Sequence, residues 1–392
     1  MKILLVSWSI LPQSGGTSVI IENLAKNFSK DEMIVLGAKT MFQNNNLNRD
    51  KSLAEFRYFF SEMYLFGRGY RYFIWFRKWR FQPLVNHIKK LIQTEKIDHV
   101  IGVYPNPFYC LAACQAAKSL GVPFSSYFHN TYTENVAIVD PKAEEIQAEI
   151  FDYSTNIFVM SKGMQRFYEE KYRLKKFIPL VHTFDEYPDK KALTGIPKVG
   201  KSHYKLVAIG NFNESNLDAT KRFLNAIKGN SKYSLSVYTH VPKLLLQKRG
   251  LDTSLFEHKG SVAPDEIQKV LQDYDICVLT HGFTGGYGEA EYKTIFPTRT
   301  IPFLLSGKPI FVHSPKSSFL NDFIEENECA VLVEEASGKA ILEGLEKLSG
   351  DENLQKKLVV AAEKTSEQFY GQNVAQQLKE ILKKDDIEVN LP

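Results

Sequence analysis

A chain of 392 residues with 44% hydrophobic content and no low-complexity tract has material for two ordinary cores rather than one. Its net charge of +4 hides an asymmetry: of 49 Lys and Arg and 45 Asp and Glu, residues 1–180 carry 23 and 16 and the remainder 26 and 29. Residues 57–90 alone hold eight cations beside the single acid Glu62, so a local cationic surface is expected.

No apolar run approaches the ~20 residues that cross a bilayer, and the opening MKILLVSWSI lacks the cleavage region of a signal peptide. A cytoplasmic protein is expected. Cys110 and Cys114 lie i, i+4 on an apolar helix while Cys277 and Cys329 are isolated, which suits buried, reduced thiols and neither a disulfide framework nor a zinc site.

The first apolar run, residues 3–6, leads into Pro12-Gln13-Ser14-Gly15-Gly16-Thr17 and a helical pattern over 19–28. Two glycines at the C-terminal edge of a parallel strand let a ligand approach the backbone and the helix N-terminus, as phosphate sites require. A tight turn is the plain alternative. Runs at 33–36, 99–103, 124–128, 157–160 and 177–181 continue the rhythm of a parallel sheet.

Within that half, residues 56–81 interleave Arg68, Arg71, Arg77, Lys78 and Arg80 with Tyr70, Tyr72, Phe73, Trp75, Phe76, Trp79 and Phe81. A helix here would carry aromatic and cationic stripes, with Arg71, Trp75, Arg77, Lys78 and Trp79 facing anionic lipid headgroups. A core-packed helix with a solvated basic face is the alternative, and no nucleic-acid partner is expected because no RNA-binding signature accompanies the block. His129 ends the run at 124–128, where open α/β sheets place ligand groups, although a structural histidine satisfied by a carbonyl is equally compatible with that position.

Around Pro188, Gly195, Pro197 and Gly200 the rhythm stops, which marks a linker, and it resumes at 206–209, 235–238, 276–279, 310–312 and 330–333. His281 and His313 end two of these runs. The expected fold is α/β, with two Rossmann-like, doubly wound parallel-sheet domains facing a cleft. The divisions are 1–183, a linker 184–203, 204–365, and a C-terminal helix over 366–392 that packs back on the N-terminal domain and frays after 384. Asp273-Tyr274-Asp275 spells a DxD, but it spans a helix end and a strand start, so its carboxylates diverge; no metal or other cofactor is expected.

The stretch FPTRTIPFLLSGKPIFVHSP, residues 296–315, is the most informative. It reads as a short helix, a glycine stop at Gly307 with positive φ, Pro309 preventing continuation, and a buried strand over 310–312. Arg299 falls at the helix start, where the dipole disfavours a cation by roughly 0.3–1 kcal/mol unless an anion sits there too. Thr300 as N-cap would put Pro302 in the first turn without cost and leave Arg299 beside the first amides, able to grip a phosphate.

With these motifs in order, the chain resembles a GT-B glycosyltransferase, specifically the retaining family 4 that uses nucleotide-sugar donors. Gly15-Gly16 resembles that family's first glycine loop, Phe128-His129-Asn130 its strand-end histidine motif, and Val159-Met160-Ser161-Lys162 its late N-domain strand. In the second half, residues 206–211 resemble the opening strand and glycine, Gly260-Ser261-Val262 with Tyr274-Asp275-Ile276 the run before the donor site, and Ser306-Gly307-Lys308-Pro309 the turn after the donor helix. Two departures stand out. The family's paired glutamates correspond to Thr294 and Pro302, and its arginine and lysine after the first C-domain strand are replaced by Asn211, Phe212, Asn213 and Glu214.

The resemblance implies transfer of a sugar from a nucleotide diphosphate to a saccharide or lipid-linked saccharide acceptor, as in bacterial surface polysaccharide assembly, on the inner face of the membrane. Catalytic roles are expected of His129 and, where the chain departs from the family pattern, of Arg299 as the leading cation and Glu289 and Glu291 as the nearest carboxylates, with donor contacts expected of Gly15, Gly16, Gly210, Asn211, His240, Val262, His281, Thr298 and Thr300. Because the glutamate pair is missing, two alternatives stand beside this reading: a catalytically degenerate GT-B subunit that binds a partner, and a GT-B nucleotide-sugar epimerase.

Overall fold

The computed structural model describes residues 1–11, 16–39, 53–60, 70–135, 140–173, 175–184, 196–263, 266–285 and 288–389, with side chains at all of these but 60, 70–78 and 385–389. Two compact units result. One comprises Met1–Thr133, Ile138–Asp185 and Phe369–Pro392, the other Glu134–Ala137 and Glu186–Gln368.

The first unit is built on seven parallel strands: β1 (Ile3–Ser7), β2 (Met33–Lys39), β3 (Glu55–Phe60), β4 (His99–Tyr104), β5 (Phe124–Phe128), β6 (Asn156–Val159) and β7 (Phe177–Pro179). Their order is β3-β2-β1-β4-β5-β6-β7. Strands covered by helices on both faces are largely apolar, and β1, β4 and β5 are buried at every residue, with Ser125 and Ser126 of β5 satisfied by hydrogen bonds to His99 and Ser154. The connecting helices include α1 (Gly16–Ala25), α2 (Tyr70–Glu95), α3 (Pro107–Leu120), α4 (Ala143–Tyr153) and α5 (Lys162–Lys171). Local chemistry sets their ends: Asn106 Oδ1 caps the amides of Phe108 and Tyr109, Pro107 occupies the first turn of α3, and Gly121 closes it at φ 65°.

The second unit has six parallel strands, β8 (Tyr204–Ile209), β9 (Tyr233–Tyr238), β10 (Glu257–Gly260), β11 (Ile276–Thr280), β12 (Ile310–His313) and β13 (Val331–Val333), in the order β10-β9-β8-β11-β12-β13. Its helices are α6 (Leu217–Ile227), α7 (Lys243–Lys248), α8 (Ile267–Leu271), α9 (Glu289–Thr294), α10 (Thr300–Leu304), α11 (Phe319–Asn327), α12 (Gly338–Gly350) and α13 (Glu352–Ser366). Chain direction across the sheet reverses between β1 and β4 in one unit and between β8 and β11 in the other, and ligand crevices open at such switch points.

Several expectations need correction. Residues 56–60 are not helical: Phe56 and Tyr58 pack toward one side of the first sheet and Phe59 toward the other, the period-2 pattern of a strand, and α2 begins only at Tyr70. β10 has the sequence EHKG and no apolar run, because an edge strand can leave alternate residues in solvent. The first helix starts at Gly16 rather than 19, and the last, α14 (Gly371–Val389), continues past residue 384. Val374, Ala375, Leu378 and Leu382 of α14 join the core of the first unit with Leu5 and Ile21, and Lys379 pairs with Glu32 at 2.7 Å.

Candidate functional site

In the second unit the switch point is occupied by Arg299. Gly210, immediately after β8, adopts φ 145°, and a β-carbon there would lie 2.8 Å from Arg299 Nη1. The other terminal nitrogen, Nη2, donates to Thr280 O at the end of β11, at 2.9 Å. The guanidinium thus spans the C-terminal ends of the two strands between which the order reverses. Among the described residues no carboxylate pairs with it, and burial alone pulls its pKa down to about 10. A cation held this way is energetically incomplete, and an anion would complete it.

The helix geometry differs from expectation in one respect. Arg299 itself, not Thr300, is the N-cap, with helical φ −64° and ψ −13°, and α10 is a single turn. Pro302 still falls in that first turn, so its missing N–H costs nothing. Gly307 takes φ 68°, as a helix stop requires. Thr298 is exposed, whereas Thr300 is buried and its Oγ1 has no hydrogen-bond partner among the described residues.

The loop after β11 is pinned beside this guanidinium. Asp218, in the first turn of α6, accepts the amides of Phe283 at 3.0 Å and Thr284 at 3.2 Å, and Arg222 one turn later stacks on the Phe283 ring at 4.7 Å. Arg222 Nη1 also donates to His313 Nε2 at 3.0 Å, which leaves His313 Nδ1 to donate to Val333 O. His281 is fully engaged in the fold: Nε2 donates to Tyr292 O at 2.9 Å, and burial, aided by the Arg299 charge, lowers its pKa to about 4. It is neutral at physiological pH.

The two carboxylates named from the sequence separate. Glu289 has a side chain 81% exposed and pairs with Lys293 at 2.7 Å, which holds its pKa below the usual range. Glu291 is buried in the first turn of α9. Asn211 and His240 are exposed after β8 and β9, and Val262 is half-buried beyond β10. Asp275 lies at the start of β11, at the opposite edge of the sheet, where it pairs with Lys201 at 2.7 Å and accepts the Lys205 amide.

In the first unit, His129 follows β5 and its Nδ1 lies 3.2 Å from Thr17 Oγ1 at the N-terminus of α1. Its ring meets Tyr127 edge-on at 4.2 Å, and burial with the nearby His182 holds its pKa well below the ordinary value. His129 Nε2 and both ring nitrogens of His182 have no hydrogen-bond partner among the described residues. Gly16 opens α1; Gly15 lies outside the described residues, as do the side chains of Arg71, Trp75, Arg77 and Lys78. Trp79 is 67% exposed. Arg57, counted with the cationic block, is in fact bound to Glu55 and Glu95 at 2.7 and 2.8 Å.

Sequence reasoning missed His182, Asp218 and Arg222. Each had a signal: His182 follows the last strand of its sheet as His129 follows β5, and Asp218 and Arg222 are an i, i+4 pair on the helix after the switch strand.

No family model and no curated protein matches the chain. Solved structures do. Sucrose-phosphate synthase from Thermosynechococcus elongatus is similar with a TM-score of 0.70 at 12% identity, over 99% of both chains. Anabaena HepE, in complex with UDP and glucose, gives 0.68 at 14% identity over 98% of this chain and 99% of its own. A glycosyltransferase from Rickettsia africae gives 0.68 at 14% over 98% of each. UDP-GlcNAc 2-epimerase from Methanocaldococcus jannaschii matches at 0.55 and 12% identity, over 98% of this chain and 100% of its own. Two doubly wound parallel-sheet units, matched nearly end to end by such structures, make this a chain of the GT-B fold.

Proposed function

We propose that the chain is a retaining, metal-independent glycosyltransferase of the family 4 kind. It moves a sugar from a nucleoside diphosphate, held mainly by the second unit, to a saccharide or lipid-linked saccharide acceptor held by the first. The observation that carries this reading is Arg299, half-buried at the switch point of the second sheet and without a carboxylate partner among the described residues. In the transfer, the bond between the sugar C1 and the β-phosphate oxygen breaks while the acceptor hydroxyl oxygen bonds to C1 and its proton passes to the departing phosphate oxygen. Negative charge builds on the departing diphosphate, and a preformed guanidinium in a low-dielectric site stabilises that charge without reorganising. His129, kept neutral by burial, suits a hydrogen bond to a sugar hydroxyl rather than a phosphate charge.

Metal independence is favoured by Asp275, whose carboxylate is committed to Lys201 and the Lys205 amide. Glu291, buried two residues into α9 just after the loop that follows β11, is the better placed of the two glutamates for a ribose or sugar contact, since Glu289 points into solvent. Contact with an anionic membrane draws support from the exposed Trp79 on the cationic helix α2. A cytoplasmic, peripheral enzyme of surface polysaccharide assembly fits these features.

The complexes of HepE with UDP and UDP-glucose make uridine nucleotides the first probes. Thermal shift against UDP, GDP, ADP and their sugars should reveal one strong ligand, because a nucleotide at 100 times its Kd adds about 2.7 kcal/mol of stability. Turnover in EDTA with a saccharide acceptor should then consume the matching nucleotide sugar. A changed sugar appearing without any acceptor would instead establish the epimerase reading, which the similarity to UDP-GlcNAc 2-epimerase favours. Absence of nucleotide binding would reject both enzymes and leave the degenerate subunit.

A further inference from the structure

A second guanidinium reaches the turn on which Arg299 rests. After Gly210, Asn211 is exposed and Phe212 adopts φ 46° with its ring only 3% accessible in the core of the second unit. A left-handed backbone is costly for a residue with a β-carbon, and it persists only where the surroundings over-determine it. The buried ring is one such constraint. The other is Arg249, whose Nη1 donates to Asn211 O at 2.8 Å and Phe212 O at 3.0 Å.

Arg249 is placed for this by the end of α7. Its amide donates to Leu245 O at 3.0 Å, and Gly250, at φ 84°, turns the chain away directly afterwards. Among the described residues no carboxylate pairs with Arg249, and its guanidinium holds these two carbonyls. Consecutive carbonyls held by one planar donor fix the orientation of the peptide between Asn211 and Phe212, one residue beyond Gly210, where a β-carbon would lie 2.8 Å from Arg299 Nη1. Loosening it would let Gly210 leave its φ of 145° and crowd the guanidinium.

We propose that Arg249 is a positioning residue for the anion site. It locks the turn 210–212 so that Gly210 leaves room for the Arg299 guanidinium to meet a diphosphate, and this rests on the reading of Arg299 as the group that binds the donor.

The test uses the full chain with Arg249→Met, which keeps the apolar stem and removes every donor, Arg249→Lys, which keeps one donor nitrogen, and Lys248→Met as a control on the same helix. Amide hydrogen exchange of residues 210–213 without ligand should speed up about tenfold in Arg249→Met and be partly restored in Arg249→Lys, while Lys248→Met matches wild type. Calorimetric affinity for UDP, or for whichever nucleoside diphosphate wild type binds, should fall about tenfold in Arg249→Met and recover in part in Arg249→Lys. Unchanged exchange would overturn the proposal whatever the nucleotide does. Faster exchange with unchanged affinity would also overturn it, because the turn would be held for the fold and not for the ligand. Wild type binding no nucleoside diphosphate would reject the donor reading itself, and the exchange result would still report whether Arg249 holds the turn.

Discussion

Replacing Arg299 by methionine should separate what this side chain costs the fold from what it does for a ligand. Burial pulls the guanidinium down to about 10, roughly 2.5 pH units below its ordinary value, and at about 1.36 kcal/mol per unit this is about 3 kcal/mol. At pH 7 the group is charged in both folded and unfolded chains, so the whole penalty is present. Partial exposure of the side chain reduces it somewhat. Against it stands the hydrogen bond to Thr280 O, worth about 1.5–3 kcal/mol for a charged donor. The two nearly cancel. Met fills the space of the stem without a charge, so unfolding in denaturant at pH 7 should give Arg299→Met a stability equal to wild type or up to about 1 kcal/mol higher. Its affinity for the nucleoside diphosphate should meanwhile fall by about 1.5–3 kcal/mol, roughly 10- to 150-fold by calorimetry. A variant destabilised by more than about 2 kcal/mol would make Arg299 a structural residue. Unchanged affinity would remove it from the site.

Three further outcomes follow from the same geometry. Gly210→Ala must place a β-carbon 2.8 Å from Arg299 Nη1 at a backbone φ of 145°; it should cost about 1–3 kcal/mol of stability and also weaken nucleotide binding, and a neutral result in both measurements would contradict the geometry. His99, His182 and His281 are held neutral by burial, at about 4, 3 and 4. Unfolded histidines protonate near 6.5, so their contribution is complete above that pH and is lost as pH falls towards 4, at about 1.4 kcal/mol per pH unit for each; a flat unfolding free energy between pH 6.5 and 4.5 would refute it. Vesicle co-sedimentation should show anionic membranes retaining wild type more than Arg71→Ala/Arg77→Ala/Lys78→Ala, by several kcal/mol at about 1 per cation and less in high salt. Equal recovery on neutral vesicles would mean the block is ordinary surface.

The alternation of apolar runs and helical periods determined both parallel sheets without help from tertiary structure, because strands covered on both faces are largely apolar and therefore announce themselves. The edge strands β7 and β13 were legible too, but the edge strands β3 and β10 were not. β10, reading EHKG, and β3, embedded in a stretch rich in arginine and aromatics, bury too little of one face to leave a continuous run, and only their pairing with β9 and β2 defines them.

The same division holds at the site. Arg299 was visible in the sequence as a cation at a helix start beside a glycine turn, a local conflict that points to an anion. Which groups surround it was not. The approach of Gly210, the carbonyl of Thr280, the Asp218 bridge to the 283–284 amides and the Arg249 hold on residues 211 and 212 join positions 19 to 89 residues apart. Nothing in the spacing of such residues marks them, since the sheet alone brings the C-terminal ends of β8 and β11 side by side. Solvent exclusion is likewise a property of the packed chain: it sets Glu291 apart from Glu289 two residues away, and it keeps His129, His182 and His281 neutral.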